Sequence, residues 1–412
     1  MKKNSEPGNR WYSTFASKTA LRIGFGVQQL IFTTLTLALF SRRKGKPSRI
    51  MLLRSSRFGD FVNAIPAFAA LRSSFPDAEI VAIIVPSTDA KSATKTPDTS
   101  YTDLLEPGLV DRFLTVRFQR GFDWKAISEV RQVVREFQPD MFLVLPFSAE
   151  RLGNRIRKLL FLKLVGIRHN AYGLKPRSVS FGFMRGLQHK AGLIEHQVLG
   201  PLNALHEIGV PGGPVRFPIR RDPQAARRAE AIWNDNRLSD KTVVALFPGA
   251  TFEHKRWPLE NFQELCRSLL ADQTVSVAVL GGSGETGLSS ALCAKFPSRV
   301  ISLAGGLSFL ELAEVLRRCA LFVGNDSGPG HLAAAVGCPT VTLFSAIEYP
   351  GFWEPWNSRH LAIRKHVSCE YCFSYHKCPT GTSECIRSIT TDEVFALVRT
   401  QLGNQTRKTF VE

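Results

Sequence analysis

Residues 320–344, ALFVGNDSGPGHLAAAVGCPTVTLF, decide how the chain is read. The apolar run Ala320, Leu321, Phe322, Val323 reads as a buried strand ending at Gly324. A polar Asp-Ser-Gly turn, a helix of small residues and a second apolar strand follow, making one βαβ unit. Asp326 or Ser327 can cap the helix, and the amides left over at its N-terminus aim their dipoles at an anion in front of them. Gly328 and Gly330 keep side chains out of that space, while Ala333, Ala334 and Ala335 let the helix lie close to the sheet. An isolated Asp-Ser-Gly is more often an ordinary strand-to-helix turn, so the surrounding chain has to decide whether a phosphate is held here.

Upstream, the same alternation runs back to TVVALFPGA, through the helical PLENFQELCRSLLAD, the strand VSVAVLGG, a helix over SSALCAKF, the strand VISLAG and the helix FLELAEVLRRCA. Further back lies a Pro- and Gly-rich, then polar helical stretch over 209–240, the best domain junction. An earlier series precedes it: the strand IMLLRSS, a turn at Arg57, Phe58, Gly59 and Asp60, a helix over 61–75, the strand AEIVAIIVP, and two more strand and helix pairs to Lys163. Strands alternating with helices imply parallel, doubly wound sheets, whose ligands sit beyond the carboxyl ends of the strands. Asp60 falls at such an end, although a lone turn aspartate is more often a cap.

In the second series four strand ends carry distinctive turns. They are residues 248–258, with Thr251 and Lys255 before Trp257; 281–285, with Gly282 and Glu285; 304–307, ending at Leu307; and 325–328. Glycine turns, a lysine and a helix N-terminus on one sheet edge suit a nucleotide diphosphate, with Glu285 placed for ribose hydroxyls. Neither a Walker A loop nor Gly-x-Gly-x-x-Gly is present, which removes the main support for a kinase or an NAD-dependent enzyme. Composition is globular, with 44% apolar and 21% charged residues, but 53 Lys and Arg against 35 Asp and Glu leave a net charge of +18. That balance favours an anionic partner. No RNP-type sheet, zinc-finger spacing or basic heptad region points to nucleic acid.

The N-terminal segment differs in kind. Residues 23–40, IGFGVQQLIFTTLTLALF, carry no charge and are followed by Arg42, Arg43, Lys44 and Lys46. At 100° per residue Lys18, Arg22, Gln29, Thr33 and Thr36 form one narrow polar stripe on an otherwise apolar helix. The length is marginal for spanning a bilayer, and the pattern predicts a helix lying in the membrane interface, its basic flanks drawn to anionic head groups. A helix packed on the protein itself and a single-span anchor are the alternatives.

RSSRFGD at 54–60, PGATFEHKRWPLENFQEL at 248–265, GGSGE at 281–285 and NDSGPGHLAAAVGCPTVTLF at 325–344, in that order, resemble glycosyltransferase family 9, the heptosyltransferases of lipopolysaccharide core assembly. The resemblance implies an α/β chain of GT-B fold: two Rossmann-like doubly wound domains facing a central cleft, here with an N-terminal hydrophobic helix added. The expected organisation is an extension over 1–47, an acceptor domain over 48–222 and a nucleotide-sugar donor domain over 223–412. The implied activity is inverting transfer of heptose or a related sugar from a nucleotide diphosphate sugar to a lipid-linked saccharide, at the cytoplasmic face of the inner membrane. By the same resemblance Asp60 is the general base, Lys255 and Thr251 face the donor diphosphate, and Asp326, Ser327, Gly328 and His331 grip it. Glu285 falls at the ribose, Leu307 falls beside the base, and no cofactor is required. A histidine one turn into a helix is as often structural as catalytic, so His331 is a binding residue here. A nucleotide-sugar epimerase and a non-catalytic nucleotide-sugar-binding protein are the competing readings.

Cysteines fall into two groups. Cys266, Cys293, Cys319 and Cys338 sit in apolar patterns and read as buried free thiols. Cys369, Cys372, Cys378 and Cys385 are clustered among Tyr371, Tyr375 and His376, so a structural zinc ion, disulfides and unpaired thiols are all open to them.

Overall fold

The computed structural model describes residues 15–42, 45–86, 101–118, 123–146, 152–175, 195–357 and 359–406. The chain falls into two compact units: residues 1–55, 70–86 and 110–214 form one, and residues 56–69, 87–109 and 215–412 the other.

The first unit is built on β1 (Arg49–Ser56), β2 (Glu79–Pro86), β3 (Arg112–Thr115), β4 (Met141–Val144) and β5 (Ala171–Tyr172). They form one sheet in the order β3-β2-β1-β4-β5, with β1 on β4, β2 on β3 and β4 on β5 all parallel. Ile50, Met51 and Leu52 are buried on both faces, as continuous apolar strands under helices must be. Asp140 fixes the start of β1 by accepting from the Ser48 amide (2.9 Å) and the Arg49 amide (3.2 Å). Arg54, 1% exposed, ties its end to that of β4 by donating Nη1 to the carbonyls of Leu145 (3.1 Å) and Pro146 (2.8 Å).

The early part of the chain supplies four long helices: α1 (Phe15–Leu39), α2 (Phe58–Ser74), α3 (Trp124–Phe137) and α4 (Leu152–Leu164). Asp123 caps α3 by accepting from the Ala126 amide, and Gln138 closes it in the left-handed region at φ 47°. On α1 the described end of the polar stripe turns inward. Thr36 is buried and donates Oγ1 to the Phe32 carbonyl (2.6 Å), Thr33 likewise to Gln29 (2.8 Å), and Phe32 and Phe40 join the core of this unit. A hydroxyl satisfied by the carbonyl four residues back can turn inward at little cost, so the apolar side is the one left exposed. The side chains of Lys18 and Arg22 lie outside the described residues, and so do Arg43 and Lys44. Among the described residues no helix is long and apolar enough to cross a membrane.

The second unit holds β6 (Thr242–Phe247), β7 (Val275–Val279), β8 (Val300–Ser302), β9 (Leu321–Asn325), β10 (Thr340–Phe344) and β11 (His360–Arg364). Read across the sheet they run β8-β7-β6-β9-β10-β11, every neighbouring pair parallel. The chain winds one way from β6 to β8, then starts again at β9 on the other side of β6. That reversal opens a crevice beyond the ends of β6 and β9. The later helices are α5 (Leu199–Leu205, in the first unit), then α6 (Pro223–Asp235), α7 (Leu259–Leu270), α8 (Thr286–Lys295), α9 (Phe309–Arg318), α10 (Gly328–Ala335), α11 (Glu384–Arg387) and α12 (Thr391–Thr406) in this one. Trp257 is core: 2% exposed, edge-on to Phe262 at 4.9 Å, with Nε1 donating to the Ile389 carbonyl (2.8 Å). It anchors the C-terminal helical segment, whose Val394 and Val398 complete the same cluster.

Candidate active site

Adjacency of β6 and β9 brings the stretch 248–257 against 325–328. Asn325 makes the junction. Fully buried at the last position of β9, it accepts at Oδ1 from the Trp257 amide (3.0 Å) and donates Nδ2 to the carbonyls of Pro248 (2.8 Å) and Gly249 (3.1 Å). Gly324 precedes it because a Cβ there would lie 2.8 Å from the Phe247 carbonyl oxygen. The motif pattern alone assigns Asn325 no role; its strand position before a functional turn was the available signal.

With that loop fixed, the Lys255 ammonium forms an ion pair with the Asp326 carboxylate, their side chains 14% and 11% exposed. The two residues, expected to face the same ligand, are first of all partners of each other. Asp326 does not cap α10, and neither does Ser327: it occupies the N-cap position, but its hydroxyl donates back to the Asn325 carbonyl (2.8 Å) and makes no cap bond. Pro329 has no amide proton and Gly330 donates to the Ser327 carbonyl (3.2 Å), so in this first turn it is the Gly328 amide that is left to a ligand, which suits an anion. Lys255 and Asp326 also border a small cavity with Ser345, Glu348, Trp353 and Arg364. There Arg364 Nη1 donates to the carbonyls of Ser345 (3.1 Å) and Glu348 (2.7 Å), and Tyr375 donates its hydroxyl to the Glu348 carboxylate.

The neighbouring turns pack closely. Glu285 accepts from the Gly282 amide (2.9 Å), closing the turn after β7. A Cβ on Gly249 would lie 2.6 Å from Glu285 Cγ, so the turns after β6 and β7 meet only because Gly249 has no side chain. Leu307 is half-buried just ahead of Ser308, which caps α9 by accepting from the Glu311 amide. Thr251 is exposed at the head of the Lys255 loop.

Asp60 belongs to the same compact unit, because residues 56–69 cluster with 215–412. The expected turn is absent: α2 begins at Phe58 rather than Phe61, and Asp60, half-buried in its first turn, accepts from the Arg57 amide (2.9 Å) in capping-box fashion. That first turn rests on α10. A Cβ on Gly59 would stand 3.0 Å from His331 Cδ2 and 3.1 Å from Gly328 Cα, and one on Gly328 would stand 2.5 Å from Phe58 Cδ1. Phe58 and Tyr101 pack on Phe309 at 4.5 and 6.0 Å, and the Arg57 guanidinium lies 5.3 Å from the Phe252 ring. His331 is 5% exposed, edge-on to Trp353 at 6.2 Å. Two helix N-termini, one carrying Asp60 and the other following Asp326, thus converge.

Burial lowers the His254 imidazole below its ordinary pKa, with Lys255 adding to the effect, while Nε2 donates to the Ser374 carbonyl (3.0 Å). Phe252 packs near His254, Tyr375 and His376, linking the Lys255 loop to the cysteine segment. Cys369, Cys372, Cys378 and Cys385 are free thiols, and among the described residues no three His, Cys, Asp or Glu side chains stand together to hold a metal ion. Burial opposes ionisation of Cys378, but the Thr380 hydroxyl and the Ser383, Thr380 and Gly381 amides outweigh it and hold the thiol at about 7. Cys266, Cys319 and Cys338 are buried free thiols as expected, and burial pushes Cys266 and Cys338 up to about 12. Cys293 is only half-buried.

A parallel sheet in Rossmann order, with a helix N-terminus at its switch point, defines a doubly wound α/β class of protein. The comparisons narrow it. Residues 188–381 match glycosyltransferase family 9 (heptosyltransferase), so the family resemblance carried by the motifs is borne out. The lipooligosaccharide heptosyltransferase 2 of Haemophilus influenzae is 28% identical over 150 residues, 34% of this chain and 43% of that protein. The chain thus spans less than half the length of the curated relatives it first matches. The fold is similar to that of the Veillonella parvula glycosyl transferase family 9 crystal structure, with TM-score 0.65 at 17% identity over 89% of this chain and 98% of that one. The Escherichia coli ADP-heptose lps heptosyltransferase II has TM-score 0.56 at 19% identity, over 87% and 99%.

Proposed function

We propose that this chain is an inverting glycosyltransferase that moves a heptose or related sugar from an ADP-heptose-type nucleotide diphosphate sugar to a lipopolysaccharide-core or other lipid-linked saccharide. The observation that carries the reading is the convergence at the β6/β9 crevice: the Lys255–Asp326 pair, the α10 N-terminus without a side-chain cap, and the first turn of α2 bearing Asp60 against Gly328. Asp60 takes the proton of an acceptor hydroxyl as its oxygen attacks the anomeric carbon from the face opposite the diphosphate, which inverts that centre. The bond from the anomeric carbon to the diphosphate breaks, and the leaving oxygen keeps the electron pair. Lys255 and the α10 N-terminus stabilise the charge that develops there. Asp326 orients Lys255 by their ion pair, Ser327 and Gly328 line the anion path, and His331 supports the turn below. Thr251, Gly282, Glu285 and Leu307 line the remaining donor side, toward ribose and base.

The reaction calls for no cofactor on this reading. Zinc at Cys369, Cys372, Cys378 and Cys385 would be structural, which metal analysis of the purified chain decides. The place of action is the cytoplasmic face of the inner membrane, where lipid-linked acceptors and anionic head groups meet a basic protein. The test is thermal stabilisation by a panel of nucleotide diphosphates and their sugars, followed by transfer assays with the best ligand. Stabilisation by ADP and ADP-heptose together with heptosylated acceptor supports the reading, and indifference to every nucleotide refutes it.

A further inference from the structure

Among the described residues the apolar side of α1 stands exposed. Ile23, Val27, Leu30 and Ile31 are 62%, 51%, 67% and 50% exposed, on the side of the helix opposite buried Phe32, Thr36 and Phe40. α4 carries a second such stripe: Ile156 and Leu160 are 45% and 59% exposed, while Leu159 and Leu162 join Phe32 and Phe40 in one core cluster. The two helices meet where α1 ends. Lys163, one helical step beyond Leu160 on the same face of α4, donates Nζ to the Leu39 carbonyl at the end of α1 and stands 4.9 Å from the centroid of the Phe40 ring.

Exposed basic groups stand on the segments that meet here. Arg42, Arg157, Lys163 and Arg168 are all exposed; Ser41 pairs with His169, which brings the segments bearing Arg42 and Arg168 together, and Arg42 Nη1 donates to the Ala171 carbonyl (3.0 Å). Large apolar side chains standing in water, edged by cations, match the layered chemistry of an anionic bilayer surface, apolar below and negative above. A second copy of this chain fits less well, because a two-fold contact through the seam would set the same cations against each other.

We infer that the outer faces of α1 and α4 together form a seat for an anionic lipid surface, entered by Ile23, Val27, Leu30, Ile31, Ile156 and Leu160 and rimmed by Arg42, Lys163 and Arg168. The helix lies on the membrane, with Thr33 and Thr36 turned toward the protein. This deepens the membrane part of the proposed function and rests on that reading only for the acceptor being lipid-linked. The contribution of α4, remote in sequence from the N-terminal segment, could not be anticipated from composition.

The test uses the full chain in co-sedimentation with phosphatidylcholine vesicles, with and without phosphatidylglycerol. The wild type sediments with the anionic vesicles, less so as salt rises. Leu30→Asp and Leu160→Asp each lower the partition coefficient about tenfold or more, the loss expected when one leucine no longer enters the acyl boundary. Both side chains are exposed, so folding is retained, and an unchanged thermal shift by ADP confirms it separately from the membrane readout. Equal binding to neutral vesicles, an unaltered Leu160→Asp variant, or a wild-type dimer that these substitutions dissolve would each overturn the inference. Absence of ADP binding in the wild type would instead strike at the transfer reading and leave the seat standing.

Discussion

Replacing Asn325 by alanine removes three hydrogen bonds from a fully buried side chain and leaves the Trp257 amide without its acceptor. At about 1 kcal/mol net for each bond, the loss comes to about 3 kcal/mol. Each kcal/mol moves the midpoint of a domain of this size by roughly 2–4 °C, so thermal unfolding should fall by about 6–12 °C. Asn325→Asp is the sharper probe. It preserves the acceptor for Trp257 but sets a carboxylate oxygen against the carbonyls of Pro248 and Gly249, so it should be at least as damaging as alanine. Both variants free the Lys255 loop from β9, and ADP affinity should drop with stability. Calorimetry and isothermal titration read both effects. An Asn325→Asp protein as stable as the wild type, or a destabilised variant with unchanged ADP affinity, would refute the claim that Asn325 positions the loop.

Three further outcomes come from the same geometry. Lys255→Ala strands the largely buried Asp326 carboxylate and should cost roughly 3 kcal/mol in urea unfolding, while adding Asp326→Ala to it should cost little more; additive losses would contradict the pairing. Gly328→Ala puts a methyl 2.5 Å from Phe58 Cδ1, so transfer should fall at least about tenfold as the Asp60 turn is displaced, with stability down by about 1–3 kcal/mol; an active, unshifted variant would be contrary. Since Cys378 is held at about 7, below an ordinary thiol, its reactive thiolate predominates above neutrality and disappears as pH falls through that value. Iodoacetamide at about pH 7.5 should label Cys378 well before Cys266 or Cys338, by peptide mass spectrometry, and the reverse order would refute the assignment.

Much of this was legible in the sequence, for reasons that particular residues make plain. Buried parallel strands must be apolar at consecutive positions, so Val243 to Leu246 and Leu321 to Val323 announce themselves. Strand order is another matter. Nothing local says that β9 returns to lie beside β6, yet that adjacency alone brings Lys255 to Asp326, 71 positions away. Gly59 made the start of α2 look like a turn, because the Asp60 bond to the Arg57 amide, which carries the helix through it, is a contact rather than a composition. The inward turn of Thr33 and Thr36 was not legible either: their hydroxyls find their acceptors within α1, so composition does not say which side of the helix the protein covers. β11, α11 and α12 escaped notice because His360–Arg364 is only half-buried and its neighbours are short or polar.

The central claim, that the crevice beyond β6 and β9 transfers a sugar with Asp60 as base, is tested most directly by one comparison. Wild type and Asp60→Ala are incubated with ADP-heptose and a heptose-accepting lipopolysaccharide core, product is followed by mass spectrometry, and ADP binding is measured on the same samples. The account predicts heptosylated product from the wild type and at least about a hundredfold less from Asp60→Ala at unchanged ADP affinity, the usual scale for a lost general base. Full transfer by Asp60→Ala, or ADP binding by the wild type without transfer, would contradict it.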